Sequence, residues 1–266
     1  MKIFISADIE GTAGITEPGE GNRERPEYAE FRAYMTDEVV AACEGAKAAG
    51  ATDILVKDAH ASARNLILSK LPDYVSIVRG WSGHPDLMMF GLDDSFDAAL
   101  YTGYHDRAGA DSNPLAHTLT GRIQRIVLNG AEASEFTLNA LCAARYGVRS
   151  AFLSGDRGMC AAAAALVPGI VTVATSEGFG PASRSMSPAR SVVAIREGVE
   201  AALSNGIRGG IPAGAAEWDL RIEFATPTDA YRGSWYPGAE HVADRMVQFR
   251  ATDFFEIQRA IRFIVM

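Results

Sequence analysis

The chain has 266 residues, 48% hydrophobic and 22% charged, the make-up of a globular protein with a core rather than of a disordered or fibrous one. Its formal net charge of −8 argues against nucleic-acid binding, and no apolar run approaches the ~20 residues of a membrane span. The N-terminus enters an apolar run without a signal-peptide pattern, and Cys43, Cys142 and Cys160 lie far apart in Ala-rich contexts, so buried free thiols and a cytoplasmic location are expected.

Residues 2–5, Lys-Ile-Phe-Ile, read as a buried first strand. Ser6-Ala7-Asp8-Ile9-Glu10-Gly11 follows. Asp8 and Glu10 stand two residues apart, so on extended backbone both point to one side, at the carboxyl edge where open α/β sheets bind ligands. Two such carboxylates repel each other, and a dication between them removes the conflict. Two other readings compete: a helix-capping Asp8 beside a solvated Glu10, and a phosphate loop at residues 11–14. The second conflicts with the carboxylates and with Pro18, Gly19 and Gly21, which delay any helix.

Further on, Pro26 suits the first turn of a helix that carries Tyr28, Phe31, Met35, Val39 and Ala42 on one face and ends before Gly50. A strand at 53–57 ends in Asp58-Ala59-His60. A short helix at 66–71 and a strand at 75–78 come next. The strand at 98–102 ends in Gly103-Tyr104-His105, residues 106–116 form a loop, and His117 follows it directly. A strand at 123–128 is turned by Asn129-Gly130, a hairpin dipeptide. Ser134 caps a helix that runs to Tyr146 with Glu135 in its first turn. A strand at 151–154, an Ala-rich helix to Leu166 and a strand at 170–174 complete the alternation.

Composition shifts after Thr175. Residues 178–187 are loop-like, a helix covers 188–203, and 205–213 is Gly-rich. Strands at 220–224 and 246–249 alternate apolar with polar, and a final helix spans 253–264. The expected fold class is α/β: a mostly parallel central sheet flanked by helices, with a smaller C-terminal α+β subdomain. The expected division is residues 1–175 as the metal-binding catalytic domain, with residues 176–266 as the subdomain packed on it.

Three predicted strands thus end in groups that ligate metals: Asp8 with Glu10, His60, and His105. In a parallel sheet those ends share one edge. Nitrogen and carboxylate donors without thiolates suit zinc, and also manganese or iron. Several carboxylates among four or five ligands fit two metals sharing a bridging carboxylate. His84, in a turn, and His241, in a polar stretch, stand outside the pattern as surface residues. Asp58 and Asp106 are either groups that orient His60 and His105 or solvated turn residues.

The Ser-x-Asp-x-Glu-Gly start, Asp58-x-His60, Gly103-Tyr104-His105, a histidine twelve residues on, and Glu135 before Leu138-Asn139 together resemble the zinc-dependent D-aminopeptidases of the DppA type. Residues 35–38, 91–94, 187–188, 222–225 and 247–249 also resemble the family pattern, so the likeness spans nearly the whole chain. It implies a two-zinc site in which Asp8 bridges, Glu10 and His60 bind one ion, and His105 and Glu135 bind the other. His117 matches the family's catalytic histidine. Glu132 is a neighbouring competitor for Glu135, whose spacing to Leu138-Asn139 fits the family better. The resemblance further implies a ring-like homodecamer with active sites facing an inner channel. The chain departs from the pattern at Arg157, in residues 177–184, and in a longer stretch between His105 and His117.

The expected function is a dinuclear zinc aminopeptidase that cleaves N-terminal residues from short peptides, of D configuration as in D-Ala-D-Ala, by metal-activated water with His117 as acid/base. The alternatives are a metal-dependent amidohydrolase acting on another small amide or an L-peptide, and a non-catalytic metal- or peptide-binding assembly that leaves His117 without a task.

Overall fold

Alternate residues of the first strand decide the layers. In a computed structural model that describes residues 1–204, 206–211 and 215–266, β1 (Lys2–Ala7) sends Ile3 and Ile5 to one buried cluster and Phe4 to another. A strand buried on both faces reads as a continuous apolar run, which is what residues 3–5 supply. Helix α1 (Tyr28–Ala48) brings Met35, Val39 and Ala42 to the Ile3–Ile5 side.

The chain then lays down β2 (Asp53–Asp58), β3 (Val75–Val78) and β4 (Ala98–Tyr104). A hairpin of β5 (Ile123–Leu128) and β6 (Ala131–Glu132) follows, with Leu128 opposite Ala131 across Asn129-Gly130. Next come α2 (Glu135–Arg145), β7 (Arg149–Asp156), α3 (Arg157–Leu166), β8 (Val171–Phe179), β9 (Ala182–Ser185) and α4 (Pro188–Ser204). The chain closes with β10 (Trp218–Phe224), α5 (Pro227–Gly233), β11 (Glu240–Ala243), β12 (Met246–Ala251) and α6 (Phe254–Val265).

The main sheet has the order β3-β2-β1-β4-β7-β8-β9 and is parallel except for β9. The chain moves from β1 to β2 and β3 on one side, then returns to β4 on the other. The switch point therefore falls between β1 and β4, where ligands bind in such sheets. A second, antiparallel sheet, β11-β12-β10-β5-β6, packs with α2 and α6 in the Phe4 cluster. The expected α/β class with its mostly parallel sheet is what the chain adopts.

The layers do not divide at residue 175. The antiparallel sheet borrows β5 and β6 from the first half, and α4 returns to pack against α1, where Gly45 leaves room for the Arg196 backbone. Residues 178–187 are not a loop: β8 runs on to Phe179 and pairs with β9. Those residues carry no apolar period because the hairpin is a solvated edge, held by backbone pairing. The helix at 66–71 shrinks to a single 3-10 turn, Leu68–Lys70. The short α5 and the exposed β11 have no predicted counterpart, and the Gly-rich stretch 205–213 lies partly outside the described residues. No helix among the described residues is long and apolar enough to cross a membrane.

Two glycines let the ends of β1 and β4 meet. A β-carbon on Gly11 would lie 1.9 Å from the Tyr104 carbonyl oxygen. One on Gly103, whose φ is +68°, would lie 2.2 Å from the Asp8 carbonyl oxygen. The backbones instead join through the Asp8 N–H to the Thr102 carbonyl and the Gly11 N–H to the Gly103 carbonyl.

Glu38 ties the loop after β1 to two helices. From α1 its Oε1 accepts the Ala13 N–H at 3.0 Å and the Ser191 hydroxyl of α4 at 2.8 Å. Burial pushes its carboxyl up to about 7, against those two bonds. The protonated form thus favours the fold. That contribution is complete below the unfolded carboxyl value of 4.5 and is lost as pH rises through about 7. Glu38→Gln should gain on wild type by on the order of 2–3 kcal/mol between pH 5 and pH 8. Thermal melts of both proteins across that range check this; a constant difference would contradict it.

Candidate metal centre

The switch point gathers Asp8 and Glu10 after β1, His60 after β2 and His105 after β4, and α2 adds Glu135 as its first residue. All five are buried, Glu10 and His60 the most exposed at 9%. Asp8 stands in the middle. Its Oδ1 lies 3.3 Å from His60 Nδ1, and its Oδ2 lies 3.4 Å from His105 Nε2. Glu10 Oε2 is 3.0 Å from His60 Nδ1, and Glu135 Oε2 is 3.6 Å from His105 Nε2. Two sets of three donors result, Asp8-Glu10-His60 and Asp8-His105-Glu135, each with its ligand atoms within 4.8 Å of one another.

Each imidazole is fixed by the nitrogen that faces away from the cleft. His60 Nε2–H donates to the Gly21 carbonyl, and His105 Nδ1–H to the Asp106 carbonyl, both at 2.9 Å. His117 Nδ1–H donates to the Leu115 carbonyl, also at 2.9 Å. Backbone acceptors of this kind leave the opposite nitrogen as a lone pair aimed into the site. Asp58 and Asp106 therefore do not orient the rings through their carboxylates. Asp58 accepts the Asn65 and Leu66 N–H groups and the Asn65 amide, which in turn donates to the His60 carbonyl. The Asp106 carboxylate accepts from the Arg107 N–H and the Ser112 hydroxyl.

These donors fit a metal. Glu10 Oε2 and His105 Nε2 are buried with no hydrogen-bond partner, an arrangement that a protein avoids unless something else takes those lone pairs. Burial opposes charge on His60 and His105. Glu10 with Asp8 at the first, and Glu135 with Asp8 at the second, overcome it and hold both imidazoles well above their ordinary range. A dication would satisfy the same carboxylates and keep the rings neutral, the form that ligates. Three carboxylates and imidazole nitrogens without thiolate are a zinc-type set. All three cysteines are buried and free, away from these donors.

His117 stands at the mouth, with its side chain 27% exposed. Its ring stacks on His105 at 4.3 Å, and its Nε2 is 3.7 Å from Glu135 Oε1. It also lies within donor distance of Glu10 and His105, as the third member of another cluster. Its loop is pinned rather than loose: Asn113 donates to the Glu10 carbonyl and to Asp156, and Ser112 donates to Asp106 and Asp156. Leu119, at φ 64°, turns its N–H onto Glu135 Oε1 at 2.7 Å. Ala61 and Leu87, which also line the cleft, share that left-handed conformation. Residues with a β-carbon adopt it at a cost of roughly 1–2 kcal/mol each, and do so mainly where surroundings force it, as at ligand sites.

Glu132 is not in the cluster; it is 2.5 Å from Arg107 and largely exposed. His241 is a surface residue, as expected. His84 is half-exposed, packs against Phe90 and Phe255, and lines a second cavity. Asp156, which anchors the 106–118 loop, escaped the sequence reading because a capping Asp at a strand end looks ordinary; so did Leu119, which acts through its main chain.

Residues 1–263 match the Peptidase_M55 family, described as D-aminopeptidase. The chain is 30% identical over 263 residues to a D-aminopeptidase of Bacillus subtilis (strain 168), covering 98% of this chain and 95% of that one. Among solved structures it is similar to the Zn-dependent D-aminopeptidase DppA from Bacillus subtilis, described as a self-compartmentalizing protease. The TM-score is 0.94 at 29% identity, over 99% of this chain and 96% of that one.

Proposed function

The chain belongs to the Peptidase_M55 D-aminopeptidase family and is a peptidase, and on that premise we propose that it is a dinuclear zinc aminopeptidase releasing N-terminal D-residues from short peptides of the D-Ala-D-Ala kind. The observation that carries the reading is the pair of donor sets sharing Asp8. Asp8 would be shared between two ions, with Glu10 and His60 holding one and His105 and Glu135 the other. Zinc held there would supply Lewis acidity towards the scissile carbonyl and the attacking water.

The chain's own residues do the rest. The backbone carbonyls of Gly21 and Asp106 keep His60 and His105 in the ligating tautomer. The Leu119 N–H fixes one oxygen of Glu135 and leaves the other for the site. His117 holds its Nε2 towards the cleft and passes a proton to the leaving amine nitrogen as the C–N bond breaks. Among the residues that depart from the family pattern, the exposed Arg157 and Arg184 both pair with Glu177.

On the same reading the chain forms a homodecamer and works in the cytoplasm; assembly as such is supported by the similar solved structure, described as self-compartmentalizing, and by the exposed side chains of Trp235, Phe263 and Tyr231. Rates on matched D- and L-alanyl dipeptides test the stereochemical part. Faster cleavage of the D series is expected. Equal or reversed rates would move the protein to an amidohydrolase of different specificity.

A further inference from the structure

Beside the metal cleft lies a larger cavity of about 440 Å³ that shares four walls with it: Trp81, Leu87, Leu119 and Met266. Its chemistry is the reverse of the cleft's. Three carboxylates face the cleft, whereas the cavity is lined by Arg262, Arg122 and His84 with no acidic side chain. The two arginines differ in what already holds them. Arg122 is engaged, 3.3 Å from Asp229 and donating to the Val265 carbonyl. Arg262, on α6, has no carboxylate within ion-pair distance among the described residues; its guanidinium lies against the Phe263 ring and above the Gly83 turn.

The wall between the two spaces is built to stay put. Trp81 Nε1–H donates to the Ala61 carbonyl at 2.6 Å. Lys57 is fully buried, donates to the Asp58 and Gly80 carbonyls, and sets its ammonium 4.4 Å from the centre of the Trp81 ring. A desolvated cation over an indole is a strong form of this contact.

From this juxtaposition we infer that the cavity receives the residue on the leaving side of the scissile bond and that Arg262 reads its free C-terminal carboxylate. The inference rests on the aminopeptidase reading above and deepens it. A guanidinium fork matches a carboxylate through two parallel hydrogen bonds, which a carboxamide cannot reproduce. The apolar walls suit the small side chain of the leaving residue. The substrate class is then a free dipeptide or similarly short peptide rather than an amide or a longer chain.

The test is kcat/KM of the assembled, zinc-loaded protein on four compounds: D-Ala-D-Ala, L-Ala-L-Ala and the C-terminal carboxamide of each. On whichever stereoisomer is cleaved, the free acid should exceed the amide by about 10- to 100-fold, the scale of a hydrogen bond to a charged group. Arg262→Met should shrink that ratio to within about threefold, through KM on the acid. Arg262→Lys should retain part of it, because an ammonium still attracts the carboxylate as a point charge. Equal rates on acid and amide in the wild type, or a ratio untouched by Arg262→Met, overturns the assignment of Arg262. If none of the four compounds is cleaved, the aminopeptidase reading itself fails and the inference falls with it.

Discussion

His117→Ala should keep its metal and its assembly while turnover falls by roughly 100-fold or more, the usual scale for losing a general acid–base group. His117 is the exposed member of the cluster, stacked on His105 at the mouth, with one nitrogen committed to the Leu115 carbonyl and the other facing the cleft. That is the placement of a group that must meet substrate and then exchange a proton with water. The five buried donors have no such access. Turnover on D-Ala-D-Ala, with metal content measured on the same preparation, checks both halves. Near-full turnover would show that the acid is not His117. Loss of metal would make His117 a ligand, in keeping with its nearness to Glu10 and His105.

Asp8→Ala should be more severe. Its two oxygens face different histidines, so one truncation removes a donor from each set. It also leaves His60 and His105 each facing a single carboxylate, Glu10 for one and Glu135 for the other. Turnover should drop by roughly 1,000-fold or more, since several kcal/mol of transition-state stabilisation go with the ions. Truncating Glu10 instead should weaken only one set. Initial rates at a fixed excess of zinc distinguish a lost site from a merely weakened one: activity that added zinc restores in full would mean that Asp8 is not shared.

Much of this arrangement was legible in the chain because strand ends are legible. Asp8 and Glu10 do converge on His60, but β1 ends at Ala7 and Glu10 reaches it from the turn that follows rather than from extended backbone, whereas the apolar runs before His60 and His105 placed both at the same sheet edge. Ser134 as a cap put Glu135 at the start of α2, where its first turn faces the switch point. What stayed hidden acts through the main chain or across long separations. The carbonyls of Gly21, Asp106 and Leu115 orient the three rings, and a carbonyl has no residue type to read. Leu119 clamps Glu135 by its N–H in a conformation that no propensity assigns to leucine. Asn113 reaches Glu10 across 103 positions, and Asp156 joins it only after β7 lies beside β4. The β8–β9 hairpin was invisible for a related reason: it buries little, so nothing in its side chains marks the pairing. The second cavity could not be read at all, because its walls come from the segment after β3, the loop before β5 and the last helix.

Elemental analysis of wild type and Asp8→Ala, purified alike without added metal, tests the account most directly. About two zinc ions per chain are expected in the wild type, and fewer than one in the variant. One ion or none in an active wild type, or both ions retained by Asp8→Ala, would contradict a shared dinuclear centre.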